Sequence, residues 1–303
     1  MKHFTIPRIR FDAFFSRYGI KPDNAASQPW LQSSSDQRRA LIKAWVKKTV
    51  ARLVGRNAKN GQHEILKAYD AQWKKKAFVR YLPQIERGGA PWVWGDSKWV
   101  MSNEAGAAAR LLFLEDALDK LQPESVLEVG AGNGINLLML AARFPGISFS
   151  GLEPTAGGCE TARHVIEEGQ LPEALLQFAP FSLSDVSAPA RVQMEQGSAQ
   201  HLPFEDASVD VVMTSLALEQ MEEIRHDALS EIARVAKDWV VMLEPFRDVN
   251  ASGLRRMYVR THDYFQGSIA ELAEYGLEVE QVCFDMPHKS TLGTALVIAR
   301  RIR

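Results

Sequence analysis

Over the last two thirds of the chain, short apolar runs alternate with longer segments in which apolar residues recur every three or four positions. The runs at 126–129 and 209–214 are largely apolar on both faces, as strands buried in a parallel sheet are. The pattern predicts strands over 126–129, 147–152, 191–196, 209–214, 239–244, 277–284 and 293–300. It predicts intervening helices over 104–121, 134–143, 157–169, 222–236 and 268–275. This alternation indicates an α/β fold with a doubly wound sheet.

The first hundred residues follow a different pattern. Helical periodicity predicts helices over 37–55 and about 63–79. Residues 88–103 begin with Gly-Gly-Ala-Pro, which indicates a connecting loop, and their aromatic residues indicate that this loop packs on its neighbours. The connector contains three tryptophans, Trp92, Trp94 and Trp99. We therefore divide the chain into a helical N-terminal extension, residues 1–103, and a domain of residues 104–303.

Composition narrows the class of protein. The chain has 303 residues, of which 46% are hydrophobic and 24% are charged, as in globular proteins and unlike disordered or collagen-like ones. No apolar run reaches the roughly 18 residues of a membrane-spanning helix, and the N-terminus lacks the unbroken apolar stretch of a secretory signal. Two cysteines, Cys159 and Cys283, lack the spacing of metal ligands, so no metal is expected. These features predict a cytoplasmic protein without a transmembrane segment.

Charge separates the two parts of the chain. Residues 1–90 contain 19 Lys and Arg against 6 Asp and Glu, whereas residues 91–303 contain 17 against 31. In the predicted helix 37–55, apolar residues share one face that Lys and Arg flank. Such an extension could cover the domain as a lid, lie peripherally on an anionic membrane through residues 37–55, bind nucleic acid or bind a protein partner. No known nucleic-acid-binding motif accompanies it, so nucleic acid is not favoured.

A glycine-rich turn follows the first strand of the predicted sheet. The sequence Glu128-Val129-Gly130-Ala131-Gly132-Asn133-Gly134 places three glycines at alternate positions where the strand leads into a helix. Glycines there let the backbone approach a ligand, and the helix presents unpaired N–H groups. The third glycine comes one residue too early for a dinucleotide-binding turn, and no Gly-Lys-Ser/Thr follows for a Walker-type phosphate site.

The pattern Glu-x-Gly-x-Gly-x-Gly resembles the first motif of class I S-adenosylmethionine-dependent methyltransferases, and the chain is similar to their type 11 domains. Further segments resemble that family in the same order: Gly151-Leu152-Glu153-Pro154, Leu202-Pro203-Phe204 and Glu231-Ile232-Ala233-Arg234-Val235-Ala236-Lys237. The resemblance covers roughly residues 104–303. It implies a Rossmann-like sheet of seven strands whose last pair is antiparallel, with S-adenosylmethionine as the cofactor.

The resemblance also implies which residues would hold the cofactor. Four residues of the turn would cradle its methionine part: Gly130, Ala131, Gly132 and Gly134. Glu128 would lie near the amino group, and Glu153, followed by Pro154, would accept the ribose hydroxyls. Ser198 and Ala199 would flank the adenine, with Ser198 standing where the family often has Asp. The residues that would face the reacting centre end the fourth strand: Thr214, Ser215 and Leu216.

The acceptor side departs from the family pattern. Where the family often has a His pair, this chain has Glu219-Gln220, which we interpret as substrate contacts. The segment 247–267 lies where this fold places its substrate contacts. Within it, His262 beside Asp263 is a candidate general base, because histidine titrates near neutral pH. Further candidate substrate contacts are Trp99, Arg256, Tyr258 and Arg260.

Together these features predict an S-adenosylmethionine-dependent methyltransferase acting on a small molecule, with oxygen as the favoured acceptor atom. An anionic or lipid-linked substrate suits the basic residues, and transfer to nitrogen or carbon stays open. Two alternatives remain: an RNA methyltransferase that uses the basic N-terminal region, and a non-catalytic cofactor-binding protein with a regulatory or assembly role. The chain lacks Asn-Pro-Pro-Tyr-type and paired-cysteine motifs, which disfavours RNA methylation.

Overall fold

The computed structural model describes residues 2–3, 22–23, 28–54, 62–75, 78–82 and 90–302. Its N-terminal part contains β1 (Lys2–His3), β2 (Pro22–Asp23), α1 (Gln28–Leu53), α2 (Gln62–Lys75), β3 (Ala90–Trp94) and β4 (Ser97–Met101). The rest contains α3 (Asn103–Leu121), β5 (Ser125–Val129), α4 (Ile135–Arg143), β6 (Ser148–Glu153), α5 (Ala156–Glu168), α6 (Glu173–Phe178), β7 (Gln193–Gln196), β8 (Val209–Ser215), α7 (Arg225–Val235), β9 (Ala236–Glu244), α8 (Gly253–His262), β10 (Leu277–Cys283), β11 (His288–Lys289) and β12 (Ala295–Arg301).

The main sheet has the strand order β1-β10-β12-β9-β8-β5-β6-β7. Strands β5 to β9 pair in parallel, whereas β12 is antiparallel to both β9 and β10. The chain winds outward from β5 to β7 and then returns to β8, so the winding direction reverses between β5 and β8. The predicted doubly wound sheet of seven strands is confirmed, and β1 adds a two-residue edge strand. A ligand site is expected where the winding reverses.

Helices cover both faces of this sheet. Because successive side chains of a strand point to opposite faces, Val126 belongs to a core cluster with α3, α4 and α5, and Leu127 to a second cluster with α7. The N-terminal extension shares the first cluster through Phe78 and Tyr81. The extension therefore packs into the same core as the domain that follows it.

The Trp-rich connector is not the loop that the sequence suggested. Residues 90–101 of the connector form the hairpin of β3 and β4, in a second sheet with the order β11-β3-β4-β2, whereas 88 and 89 lie outside the described residues. Trp92 lies opposite Trp99, and both side chains are buried. Aromatic residues suit such a half-buried pleated surface, which explains why the segment forms strands. The turn begins at Gly95, whose φ of 54° lies in the region that favours glycine.

Several helices also differ from the sequence-based prediction. Helix α1 begins at Gln28 rather than at 37, since Pro29 fits the first turn of a helix. Helix α8 lies in a segment where no helix was predicted, because the segment is strongly polar and only Val259 and Thr261 of the helix are buried. The predicted helix 268–275 is a 3₁₀ helix, Ile269–Tyr275. None of the helices in the described ranges is long and apolar enough to cross a membrane.

Close packing between α3 and β3 gives a test of the fold. A Cβ atom at Gly106 would lie 2.4 Å from Cη2 of Trp92. Gly106→Ala should therefore lower the free energy of unfolding by about 1–3 kcal/mol through overpacking, although alanine ordinarily favours a helix. Thermal denaturation measures the effect, with Gly146→Ala as the control because a Cβ there meets no atom within 4 Å. An unchanged or raised melting temperature for Gly106→Ala would contradict this packing.

Candidate cofactor and acceptor site

A cavity of about 260 Å³ lies at the carboxyl ends of β5, β6 and β8, where the winding of the sheet reverses. The turns after these strands form its floor, α3 forms one side, and α2 lies over it. Ten residues predicted from the sequence line it: Glu128, Gly130, Ala131, Gly132, Glu153, Pro154, Ser215, Leu216, Glu219 and Gln220. The structure thus brings the predicted cofactor residues and two of the predicted substrate contacts into one space.

Four predicted cofactor residues lie outside this lining. Gly134 begins α4 with a φ of 75°, and a Cβ there would lie 3.0 Å from Cβ of Ala162. Thr214 is fully buried within β8, and Ala199 is buried in the core. Ser198 is exposed, and its hydroxyl accepts a hydrogen bond from the backbone N–H of Gln200 at 3.2 Å. These residues support the walls of the site, and their contact with a cofactor stays a prediction.

The glycine-rich turn has a backbone that other residues rarely adopt. The φ angles of Gly130 and Gly132 are 78° and 57°. A Cβ at Gly130 would lie 2.5 Å from Cβ of Ala217, so the turn after β8 also requires glycine there. The backbone N–H groups of Gly130 and Ala131 both donate to the carbonyl of Leu152, at 2.8 and 3.1 Å, and thereby fix the turn to β6.

Glu153 connects this turn to the next helix. Its Oε2 accepts from the backbone N–H of Gly132 at 2.9 Å. Its Oε1 accepts from the backbone N–H and the hydroxyl of Thr155, at 3.1 and 2.6 Å, and Thr155 caps α5. Burial raises the pKa of Glu153, and these hydrogen bonds lower it. A carboxylate oxygen can accept two hydrogen bonds, so Oε2 keeps one position for a ligand hydroxyl.

Glu128 presents a free carboxylate oxygen. The side chain is buried, and its Oε1 accepts from Nδ2 of Asn136 at 2.7 Å. Its Oε2 is buried without a hydrogen-bond partner in the described part of the chain. Burial raises the pKa of Glu128 to about 8, and the nearby carboxylates of Glu153 and Glu244 add to the rise. A buried carboxylate oxygen of this kind requires a donor from a ligand.

The N-terminal extension covers the cavity with a roof. The sequence motifs of the domain did not indicate this roof. We call Leu66, Tyr69 and Trp73 of α2 the roof, since all three line the cavity. The indole of Trp73 packs on the turn, because a Cβ at Gly132 would lie 2.8 Å from its Cζ2. Helix α2 is held over α5 by Asp70, whose Oδ1 accepts from the backbone N–H of Gly157 at 2.6 Å. In the sequence, only the spacing of Tyr69 and Trp73, which places them one helical turn apart on the same side of α2, indicated that they act together.

The opposite end of the cavity holds charged groups. Glu219 is buried; its Oε1 accepts from Nε2 of Gln220 at 3.1 Å, and its Oε2 has no hydrogen-bond partner among the described residues. Burial raises the pKa of Glu219 to about 7, while Arg110 and Lys289 nearby oppose the rise. The guanidinium of Arg110 lines the cavity without a hydrogen bond or ion pair to any described residue. Arg110, which the sequence analysis missed, is thus available to a ligand anion.

The predicted substrate residues of α8 take different positions. Tyr258 lies near Glu219: burial raises the pKa of Tyr258, and the charge of Glu219 raises it further. Arg256 and Arg260 are exposed and do not line the cavity. His262 stacks near Tyr258, with ring centroids 4.2 Å apart, and its Nδ1 lies 2.9 Å from the carbonyl oxygen of Tyr258. His262 lies outside the cavity lining, as does Trp99, so catalysis by His262 stays a prediction.

Comparison with known proteins agrees with this geometry. Residues 127–241 match the family model of the methyltransferase domain. The malonyl-[acyl-carrier protein] O-methyltransferase of Nitrosospira multiformis is 25% identical over 146 residues, which are 48% of this chain and 46% of that protein. The chain thus matches less than half the length of this curated relative.

Solved structures share the fold. The [4+2]-cyclase SpnF has a TM-score of 0.52 at 16% identity, covering 80% of this chain and 97% of that one. Geranyl diphosphate C-methyltransferase from Streptomyces coelicolor has a TM-score of 0.50 at 14% identity, covering 78% of this chain and 98% of that one. The doubly wound sheet, the glycine-rich turn and the methyltransferase-domain match define a Rossmann-like cofactor-binding protein. Residues 127–241 match a methyltransferase domain, and the chain has the Rossmann-like fold of the class I S-adenosylmethionine-dependent methyltransferases.

The residues of the cavity fit the cofactor of this family. The free Oε2 of Glu128 suits the ammonium group of a methionine, and the remaining acceptor position of Glu153 suits a ribose hydroxyl. The glycine-rich turn lines the cavity from Gly130 to Gly132, so its backbone lies within reach of a ligand. No group of three or more His, Cys, Asp or Glu in the described ranges is placed to hold a metal ion.

The turn at Gly132 gives a test of cofactor binding. Gly132→Ala should weaken the binding of S-adenosylhomocysteine by at least about tenfold, because a φ of 57° strains alanine and its Cβ would meet Trp73. Isothermal titration calorimetry measures the dissociation constant. Gly146→Ala should bind as the unchanged protein does. Equal affinities for all three proteins would place the cofactor elsewhere.

Proposed function

We propose that the protein transfers a methyl group from S-adenosylmethionine to an oxygen atom of a small, anionic acceptor. One observation carries this proposal: groups suited to the cofactor and unpartnered charged groups line a single cavity. When bound, S-adenosylmethionine supplies a methyl group already activated by its sulfonium. The protein then has mainly to hold the acceptor close and in line, which accounts for a large part of the rate enhancement of such reactions.

Glu219 is the group we assign to remove the proton of a hydroxyl acceptor. It lines the cavity, and Gln220 holds one of its oxygens, which leaves Oε2 for the acceptor. A carboxylate whose pKa is raised to about 7 suits general base catalysis near neutral pH. Tyr69 and Tyr264 surround the carboxylate, since its charge raises the pKa of both. The carboxylate is itself buried, which limits the access of water to the base.

Arg110 and Lys289 support an anionic acceptor. Both are partly buried beside Glu219, and neither side chain has a hydrogen bond or ion pair to a described residue. Glu219 supplies a counter-charge to both cations but no hydrogen bond, and an anionic group of a ligand would supply the hydrogen bonds that a partly buried cation needs. The name of the Nitrosospira relative, a malonyl-[acyl-carrier protein] O-methyltransferase, also supports an acidic acceptor and transfer to oxygen.

The roof favours a small molecule over RNA as the acceptor. Tyr69 and Trp73 lie over the cavity, and Asp70 attaches their helix to α5, which leaves little room for a nucleic acid strand. A second candidate function is cofactor binding without methyl transfer. It is favoured by the fold shared with SpnF, which is by its name a [4+2]-cyclase.

Turnover with defined acceptors tests the proposal. The protein is incubated with S-adenosylmethionine and either small hydroxy acids, whose hydroxyl needs a base, or acyl thioesters with a free carboxylate, which needs none. The formation of S-adenosylhomocysteine is followed. We expect methylation of at least one acid. Arg110→Gln should raise the KM for that acid if Arg110 binds the carboxylate of the acceptor. It should raise the dissociation constant of the cofactor if Arg110 binds the carboxylate of the cofactor. Cofactor binding without transfer to any acceptor would support the second candidate instead.

The pH dependence of turnover tests Glu219. The base acts only when ionised, so kcat/KM should rise as the pH increases through about 7 and then level off. Glu219→Gln should lower kcat by about 10²–10⁴-fold and abolish this rise. Glu223→Gln, at an exposed position nearby, serves as the control and should keep the full profile. A Glu219→Gln variant with the unchanged pH profile would contradict the assignment.

A further inference from the structure

Helix α1 is fixed on the protein by one side only. Leu41, on the inner side of α1, is buried. Lys48 contacts the carboxylate of Asp263, and its Nζ donates to the carbonyl of Thr261 at 2.7 Å, which fastens α1 to the end of α8. Near its start, Nε1 of Trp30 donates to the carbonyl of Trp92 at 3.3 Å. These contacts determine which face of α1 points to solvent.

The face that points to solvent is apolar. We call Ile42, Trp45, Val46, Val50 and Leu53 the outer stripe, because their spacing of three or four residues places them on one side of the helix. Their side chains are 41% to 81% exposed. A surface helix ordinarily buries such a stripe and presents its polar side to water. Helix α1 instead presents its apolar stripe to water. An exposed apolar surface of this kind is typical of an interaction site.

Basic residues border the outer stripe. Lys43 and Lys47 are exposed along one edge of it, and Arg38 and Arg39 are exposed at its N-terminal end. Across its whole length α1 contains six Lys and Arg against one acidic residue, Asp36. An apolar stripe with a tryptophan and cationic borders matches the surface of an anionic bilayer, where apolar side chains enter the acyl boundary and Lys and Arg reach the headgroups.

Other occupants fit these residues less well. Phosphates of a nucleic acid would pair with Lys43 and Lys47 but would leave Val50 and Leu53 in water. A second copy of the chain, related by two-fold symmetry, would bring the cationic borders of both helices close together, which is unfavourable.

We propose that the outer stripe of α1 binds the surface of a membrane that contains anionic lipids. The contact is peripheral: α1 lies along the bilayer plane, with Val46 and Val50 in the apolar boundary and Lys43 and Lys47 at the headgroups. This surface is separate from the cavity, since no residue of α1 lines it. The proposal therefore does not depend on the proposed methyl transfer.

Vesicle sedimentation of the full-length protein tests the proposal. Vesicles of equal parts phosphatidylglycerol and phosphatidylcholine should bind the protein, and vesicles of phosphatidylcholine alone should bind it much less. The double variant Val46→Ser, Val50→Ser should lower the affinity for anionic vesicles by about tenfold or more, because it removes apolar area from the stripe. Lys43→Glu with Lys47→Glu should lower it as well, and added salt should do the same.

A matched double variant controls for the loss of exposed aliphatic side chains. Val186 and Ile302 are 44% and 57% exposed outside α1, so Val186→Ser with Ile302→Ser should leave vesicle binding unchanged. Binding of S-adenosylhomocysteine should be equal in all variants, which shows that they are folded. The proposal is overturned if the unchanged protein does not sediment with anionic vesicles, or if Val46→Ser with Val50→Ser binds them equally well. It is also overturned if light scattering shows a dimer that this variant converts to a monomer.

Discussion

The carboxylate of Glu153 is the interaction on which the site depends. It lies at the end of β6 and accepts hydrogen bonds from the glycine-rich turn after β5 and from the cap of α5. Two loops that are distant in sequence are thereby held in one geometry, with their backbone N–H groups directed at a buried acceptor. Removal of this carboxylate would leave the N–H of Gly132 buried without a partner, which is costly. The crevice between β5 and β8 is shaped before any ligand enters.

The sequence predicted the features of this molecule that have local causes. Gly130 and Gly132 were recognisable because a turn with positive φ and close neighbours admits no side chain. The central strands β5 and β8 were recognisable because both of their faces are buried. Glu153 was identified through its position at a strand end, which the family resemblance supplied. Its hydrogen bonds to Thr155 and Gly132 required the structure.

Features with tertiary causes were not predictable from the sequence. Tyr69 and Trp73 line the cavity because Asp70 docks α2 on α5, and nothing in the sequence of α2 indicates that contact. Similarly, Arg110 was indistinguishable from a solvated arginine until its helix was placed beside the cavity. The outward face of α1 is another case, because the docking of Leu41 decides which side of the helix is covered.

The roof over the cavity has a consequence for the timing of the reaction cycle. Trp73 rests on the glycine-rich turn, and Asp70 bonds to the start of α5, so α2 spans the two loops that would hold the cofactor. Separation of α2 from α5 would widen the cavity, because α2 carries three of its lining residues. The residence time of a bound nucleoside would then depend on a helix that carries none of the cofactor motifs. Substitutions in α2 would change how fast product leaves while the reacting groups stay as they are.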